Sequence, residues 1–182
     1  YKIIYVSSID FYKHQWNVVE AISSLREEGY PLSLELYGIS NKASIKKLNN
    51  YIDRYDRDRS FVKYFEEVNF NEIHRIYQNS DLSVFASSCE TFGQIVLESM
   101  SSGIPVACSS LSSMNEIIKD GCVYFDPLVP SKIAEAIKIL LLSPQLRESV
   151  SEKAFSYAQE FSWDETSNNT FKFLKEIQEE SF

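Results

Sequence analysis

Two carboxylates, Glu90 and Glu98, bracket the short turn Thr91-Phe92-Gly93, and this grouping is the part of the chain best placed to do chemistry. The run before it, residues 81–87 (DLSVFAS), is short, apolar and bounded like a buried strand, and residues 104–109 (IPVACS) look the same. Between them the pattern predicts a helix of about three turns, with Ile95, Val96, Leu97 and Met100 supplying apolar contacts and Gly103 the stop. Strand, helix and strand at this spacing make a right-handed parallel crossover, whose ligand site is the loop leaving the first strand's carboxyl end. A glycine at the helix start lets a ligand approach the backbone, and the unpaired helix N–H groups favour an anion, so a phosphate is the natural guest of Thr91, Phe92 and Gly93. Glu90 repels a phosphate and must face a neutral, hydroxyl-rich group. Glu98 lies about 12 Å further along the helix axis by helix rise. Acids at two depths imply two polyol groups flanking a diphosphate. An acid before a helix and another on its exposed face are also ordinary features of a soluble helix, so the pair does not decide the matter alone.

The rest of the chain reads as the scaffold for that unit. Six apolar runs (residues 3–7, 32–38, 61–65, 81–86, 104–109 and 122–126) alternate with helical patterns, the signature of an α/β fold with a doubly wound parallel six-stranded sheet. The helix over 14–28 turns Val18, Ala21, Ile22 and Leu25 inward and ends at Gly29. A second over 43–54 does the same with Ile45, Leu48 and Ile52. Asn71 is expected to cap a third over 71–80, with Ile73, Ile76 and Tyr77 inward and His74 at the surface. Short helices are expected over 112–121 and 131–142. Beyond Ser143-Pro144 the pattern is helical only, 145–159 and 165–179, so the chain reads as one domain over 1–182 with a helical tail over 145–182.

Composition removes several classes. At 182 residues and 44% hydrophobic content the chain can bury one sizeable α/β core. A net charge of -8 argues against nucleic acid, which needs a basic face. No apolar run reaches the roughly 18 residues of a membrane span, and the chain starts directly in a strand-like run with no signal peptide. Cys89, Cys108 and Cys122 are odd in number and lack metal spacing, which points to a reducing compartment without disulfide or metal. The 14% aromatic content reads as core filling. Five glycines, none in a dinucleotide or P-loop arrangement, argue against those enzymes, and neither His14 nor His74 sits in a recognisable catalytic triad.

Glu90, Thr91-Phe92-Gly93, Glu98 and the following SMSSGIPVACS together resemble the signature of the retaining glycosyltransferases of family 4, also called glycosyltransferase group 1. That signature is an acid, Gly-Phe-Gly, an apolar run, a second acid and a small-residue segment ending Gly-x-Pro-Val. Thr91 stands where Gly is commoner. Phe161-Ser162-Trp163 resembles the family segment before its last helix. The resemblance implies the Rossmann-like C-terminal, donor-binding half of a GT-B fold, with the acceptor-binding N-terminal domain absent from this chain. In the opening segment YVSSIDFYKHQ, Ser7 and Ser8 stand where the family has Gly and Arg, Lys13 stands at its Lys and His14 at the Gly that follows. The resemblance therefore implies Lys13, aided by His14 or Ser8, on the diphosphate with the amides around Thr91 to Gly93. It also implies Glu98 on ribose hydroxyls, Glu90 on the sugar ring, and Glu66, where Gly is usual, beside the base. Glu116 matches a family acid but equally suits an exposed first-turn position.

The function so implied is transfer of a sugar from a UDP or GDP donor to a glycan or lipid-linked acceptor, as in polysaccharide or lipopolysaccharide synthesis. Glu90 and Lys13 are the expected catalytic pair, with electrostatic stabilisation of the leaving diphosphate and no metal or cofactor beyond the donor. The isolated domain is expected to bind donor and transfer nothing. The expected location is cytoplasmic, with membrane association only through the absent half. The alternative is a non-catalytic nucleotide-sugar binding or regulatory module with the same pocket.

Overall fold

The computed structural model describes residues 1–180. Six parallel strands, β1 (Lys2–Val6), β2 (Ser33–Tyr37), β3 (Val62–Phe65), β4 (Leu82–Phe85), β5 (Val106–Ser109) and β6 (Val123–Phe125), lie in the order β3-β2-β1-β4-β5-β6. Helices α1 (Gln15–Glu27), α2 (Lys42–Tyr55), α3 (Ile73–Gln78), α4 (Gln94–Ser101), α5 (Met114–Ile118) and α6 (Pro130–Leu142) connect or follow them, and α7 (Pro144–Ala158) and α8 (Trp163–Glu180) form the tail. The central strands are mainly apolar because helices cover both faces of an all-parallel sheet, while β2 and the edge strand β3 carry Glu35 and Lys63. Ile3, Ile4, Leu34, Leu36, Val84, Val106 and Ala107 are accordingly buried. α1 presents Val18, Ala21, Ile22 and Leu25 to the core and packs against α2 and α6, while α4 packs against α7.

Three local expectations change. Asn71 caps nothing: a 3-10 turn covers Phe70–Glu72, the Asn69 side chain accepts from the Asn71 N–H at 3.0 Å, and α3 begins only at Ile73. The last helix starts at Trp163 rather than 165, because the Ser162 hydroxyl accepts from the Glu165 N–H. The aromatic residues divide: Tyr5, Trp16, Phe61, Tyr77, Phe85 and Phe125 fill the core, but Phe11, Phe92, Phe161, Trp163 and Phe171 lie at the surface.

At the end of the sheet away from the crevice, the buried Asp56 carboxylate accepts hydrogen bonds from the N–H groups of Ser60, Phe61 and Val62 and from the Ser60 hydroxyl, fixing the entry to β3. Burial pushes this carboxyl up, but the hydrogen bonds outweigh it and leave it below the usual carboxylate range. Asp56→Ala is expected to cost about 2 kcal/mol in denaturant unfolding, since the strand's buried donors lose their partner. Because the folded-state pKa is the lower one, this contribution is complete above the unfolded carboxylate range. It fades as pH falls through the folded value, so the gap between wild type and variant closes in acid.

Candidate functional site

The strand order reverses between β1 and β4, and right-handed crossovers send α1 and α4 to opposite faces there, opening a crevice at the strands' carboxyl ends. The two loops that rim it are stitched together. The Ser88 N–H donates to the Tyr12 carbonyl at 2.8 Å, and His14 Nε2 lies 2.9 Å from Ser88 Oγ. Beneath them the Tyr5 hydroxyl donates to the Lys13 carbonyl at 2.7 Å.

Lys13, in the 3-10 turn Phe11–Lys13, is 5% exposed, so it is no solvated surface lysine. Its Nζ forms an ion pair with Glu90 Oε1 across the crevice and lies 5.1 Å from the ring centroids of Tyr12 and Phe85. Lys13 and Glu90 are thus brought together, as partners of each other. His14 adopts a left-handed φ of 50°, a conformation that favours glycine. Burial and nearby Lys47 push its imidazole pKa down, opposed by Asp126.

Past Glu90 the chain turns through Thr91 and Phe92, both exposed, into Gly93. Gly93 caps α4 at φ +79°, and a Cβ there would sit 2.6 Å from the buried Met114 Cε. No group among the described residues accepts from the amides of Thr91, Phe92, Gly93 or Gln94, which leaves the positive end of α4 open to the crevice. Ser112 holds the turn from the far side: its hydroxyl accepts from the Glu90 N–H at 2.7 Å and donates to the Glu90 carbonyl at 2.5 Å.

Glu98 lies on the flank of α4, in a groove of about 1040 Å³ whose walls include Tyr77, Phe92, Leu97 and Trp163. Desolvation pushes its carboxyl above the usual range, and its carboxylate has no hydrogen-bond or ion-pair partner among the described residues. A half-buried acid without an internal partner is a group awaiting a donor. Phe161 closes one end of the groove, edge-on to Phe92 at 5.4 Å between centroids.

The remaining expected residues are dispersed. Ser7 sits below the loop, with its Oγ buried and without a partner. Ser8 lies beside the Tyr12 hydroxyl and accepts at its carbonyl from the Gln15 amide. Glu66 is exposed immediately beyond β3. His74 is exposed as expected and also lines the groove, while Glu116 is an exposed first-turn residue of α5. Sequence reasoning missed Ser88 and Ser112, which set the loops; neither type nor spacing marks them, since their partners are far away in sequence. Among the described residues no cluster of three or more His, Cys, Asp or Glu side chains is arranged to hold a metal, and no helix is long and apolar enough to cross a membrane.

Residues 1–157 match the family model for glycosyl transferases group 1. The chain is similar to the O-antigen chain mannosyltransferase B of Escherichia coli, at 26% identity over 94% of this chain and 45% of that protein. It is also similar to a D-inositol 3-phosphate glycosyltransferase of Paenarthrobacter aurescens, at 25% identity over 97% of this chain and 44% of the relative. Among solved structures, Anabaena HepE in complex with UDP and glucose superposes with a TM-score of 0.85 at 20% identity, covering 96% of this chain and 48% of that one. The sucrose-phosphate synthase of Thermosynechococcus elongatus superposes with a TM-score of 0.85 at 19% identity, covering 97% and 45%. The chain therefore spans about half the length of the relatives it matches.

Proposed function

The chain belongs to the group 1 glycosyl transferases, and on that premise we propose that it is the donor-binding half of a retaining, family 4 enzyme that transfers a sugar from a nucleoside diphosphate to a glycan or lipid-linked acceptor. The observation that carries this reading is the arrangement around one turn: open amides at Thr91 to Gln94, Lys13 with Glu90 to one side, and the unpartnered Glu98 to the other. The amides and Lys13 hold the diphosphate, with Ser8 and His14 on the same loop. Glu98 accepts from ribose hydroxyls, and Glu90 from hydroxyls of the sugar ring. When the bond from the anomeric carbon to the diphosphate breaks, negative charge gathers on the departing phosphate where the helix end and the Lys13 ammonium stabilise it. The reaction needs no metal or cofactor in this reading.

The acceptor enters from a second half facing the crevice. Relatives twice as long support this, as do the apolar side chains that α8 exposes, Trp163 (78% exposed), Phe171 and Leu174. By itself this half is expected to bind donor without transferring it. Free thiols at Cys89, Cys108 and Cys122 fit the cytoplasmic side, with membrane association left to the other half.

A melting screen against nucleoside diphosphates tests the reading, because ligand at 100 times its Kd stabilises by about 2.7 kcal/mol. UDP and GDP are the first probes. No shift with any nucleoside diphosphate overturns it. Glu98→Ala is expected to weaken nucleoside diphosphate binding about 10-fold by calorimetry, the loss of a charged acceptor to hydroxyls.

A further inference from the structure

Lys13 is the cation best placed to meet a diphosphate in the crevice, yet its Nζ is already paired with Glu90 and both side chains are withdrawn from solvent, at 6% and 15% exposed. Neither backbone is free to carry its side chain away. The Lys13 carbonyl is held by the Tyr5 hydroxyl, and the Glu90 N–H and carbonyl are both held by Ser112 Oγ. Any change of partner must come from side-chain rotation within a fixed frame. His14, the other basic group on this loop, is kept towards neutrality by burial and by Lys47, opposed by Asp126, and does not replace the ammonium.

From this geometry we infer that Glu90 is an internal competitor for the Lys13 ammonium, so that the site selects nucleotide sugars over bare nucleoside diphosphates. The inference rests on the proposed function and adds to it a source of discrimination. A diphosphate without a sugar must share the Lys13 ammonium with a carboxylate that gains no other donor and stays close enough to repel it. A nucleotide sugar brings hydroxyls that donate to Glu90 as its ammonium is taken, so the carboxylate exchanges one charge-assisted partner for others. Once the sugar has left, Glu90 recaptures Lys13 and helps to expel the nucleoside diphosphate product. One ion pair thereby favours substrate entry and product release at the same atoms.

The test is calorimetry of wild type and Glu90→Gln with UDP, UDP-glucose, GDP and GDP-mannose. For the nucleotide pair that binds, Glu90→Gln is expected to tighten the bare diphosphate about 10-fold and the sugar nucleotide by less, narrowing the preference. Bare diphosphate bound equally or more weakly by the variant overturns this inference and leaves the proposed function standing. If neither protein binds any of the four, both fail. Should Glu90→Gln not fold, Glu90→Ala, which also frees the Lys13 ammonium, is measured in its place. It is expected to tighten the bare diphosphate more than the sugar nucleotide, and equal or weaker binding of the bare diphosphate overturns the inference.

Discussion

Lys13→Ala is expected to lower nucleoside diphosphate affinity about 100-fold, the upper end of what the loss of one charge-assisted contact accounts for. A charge-assisted hydrogen bond from an ammonium contributes about 1.5–3 kcal/mol. Removing the lysine also leaves Glu90 inside the crevice with no counter-ion, facing the place the diphosphate must take. Both effects oppose binding, so the single substitution reaches the top of that range and beyond the 10-fold expected for Glu98→Ala. Calorimetry on both variants, with circular dichroism to verify the fold, measures the comparison. A change of less than 3-fold for Lys13→Ala would remove this residue from the diphosphate site.

What the sequence reveals about this molecule follows from where each interaction is recorded. The six strands are legible because a parallel sheet covered on both faces needs mainly apolar runs, and 82–85 and 106–109 hold only apolar residues and one small serine each. Glu90, Gly93 and Glu98 are legible because the strand–turn–helix unit that positions them is contiguous. The start of α3 is not, since Asn69 and Asn71 are equally good local acceptors and only the folded turn selects the first. The ion pair between Lys13 and Glu90 is illegible for a different reason. It joins two loops 77 positions apart, and they meet only because β1 and β4 are neighbours at the reversal of strand order. Ser88 and Ser112, which tie the same loops, are ordinary serines until that neighbourhood exists.

The same distinction explains the surface aromatics. Phe92 and Phe161 look like core residues in composition, but Phe92 occupies an exposed turn at the start of α4 and Phe161 the linker between α7 and α8. Their edge-on contact connects the turn before α4 to the linker that leads into α8.

Gly38→Ala is expected to be the most damaging single substitution for stability, costing about 3–5 kcal/mol, from overpacking together with an unfavourable backbone angle. Gly38 follows β2 at φ +141°, and an added Cβ would overlap the Ser7 carbonyl oxygen and lie 2.6 Å from its carbon and 2.9 Å from the Ser8 nitrogen. These are backbone atoms, so no rotamer change relieves the overlap. Nor can either strand retreat. The Gly38 N–H donates to the Phe65 carbonyl at 3.0 Å and the Tyr64 hydroxyl donates to the Gly38 carbonyl at 2.9 Å. On the other side, the Ser7 and Ile9 N–H groups donate to the Tyr37 and Ile39 carbonyls, each at 2.8 Å. The displacement must pass into the loop that carries Ser8, Lys13 and His14, so variant protein that still folds is expected to bind nucleoside diphosphate more weakly as well. Denaturant unfolding of Gly38→Ala beside Gly29→Ala separates the causes. Gly29 also has positive φ, but a Cβ there meets nothing within 4 Å, so its substitution is expected to cost only the backbone part, about 1–2 kcal/mol. Equal losses in the two variants would mean that the close approach of β2 to the loop after β1 contributes nothing.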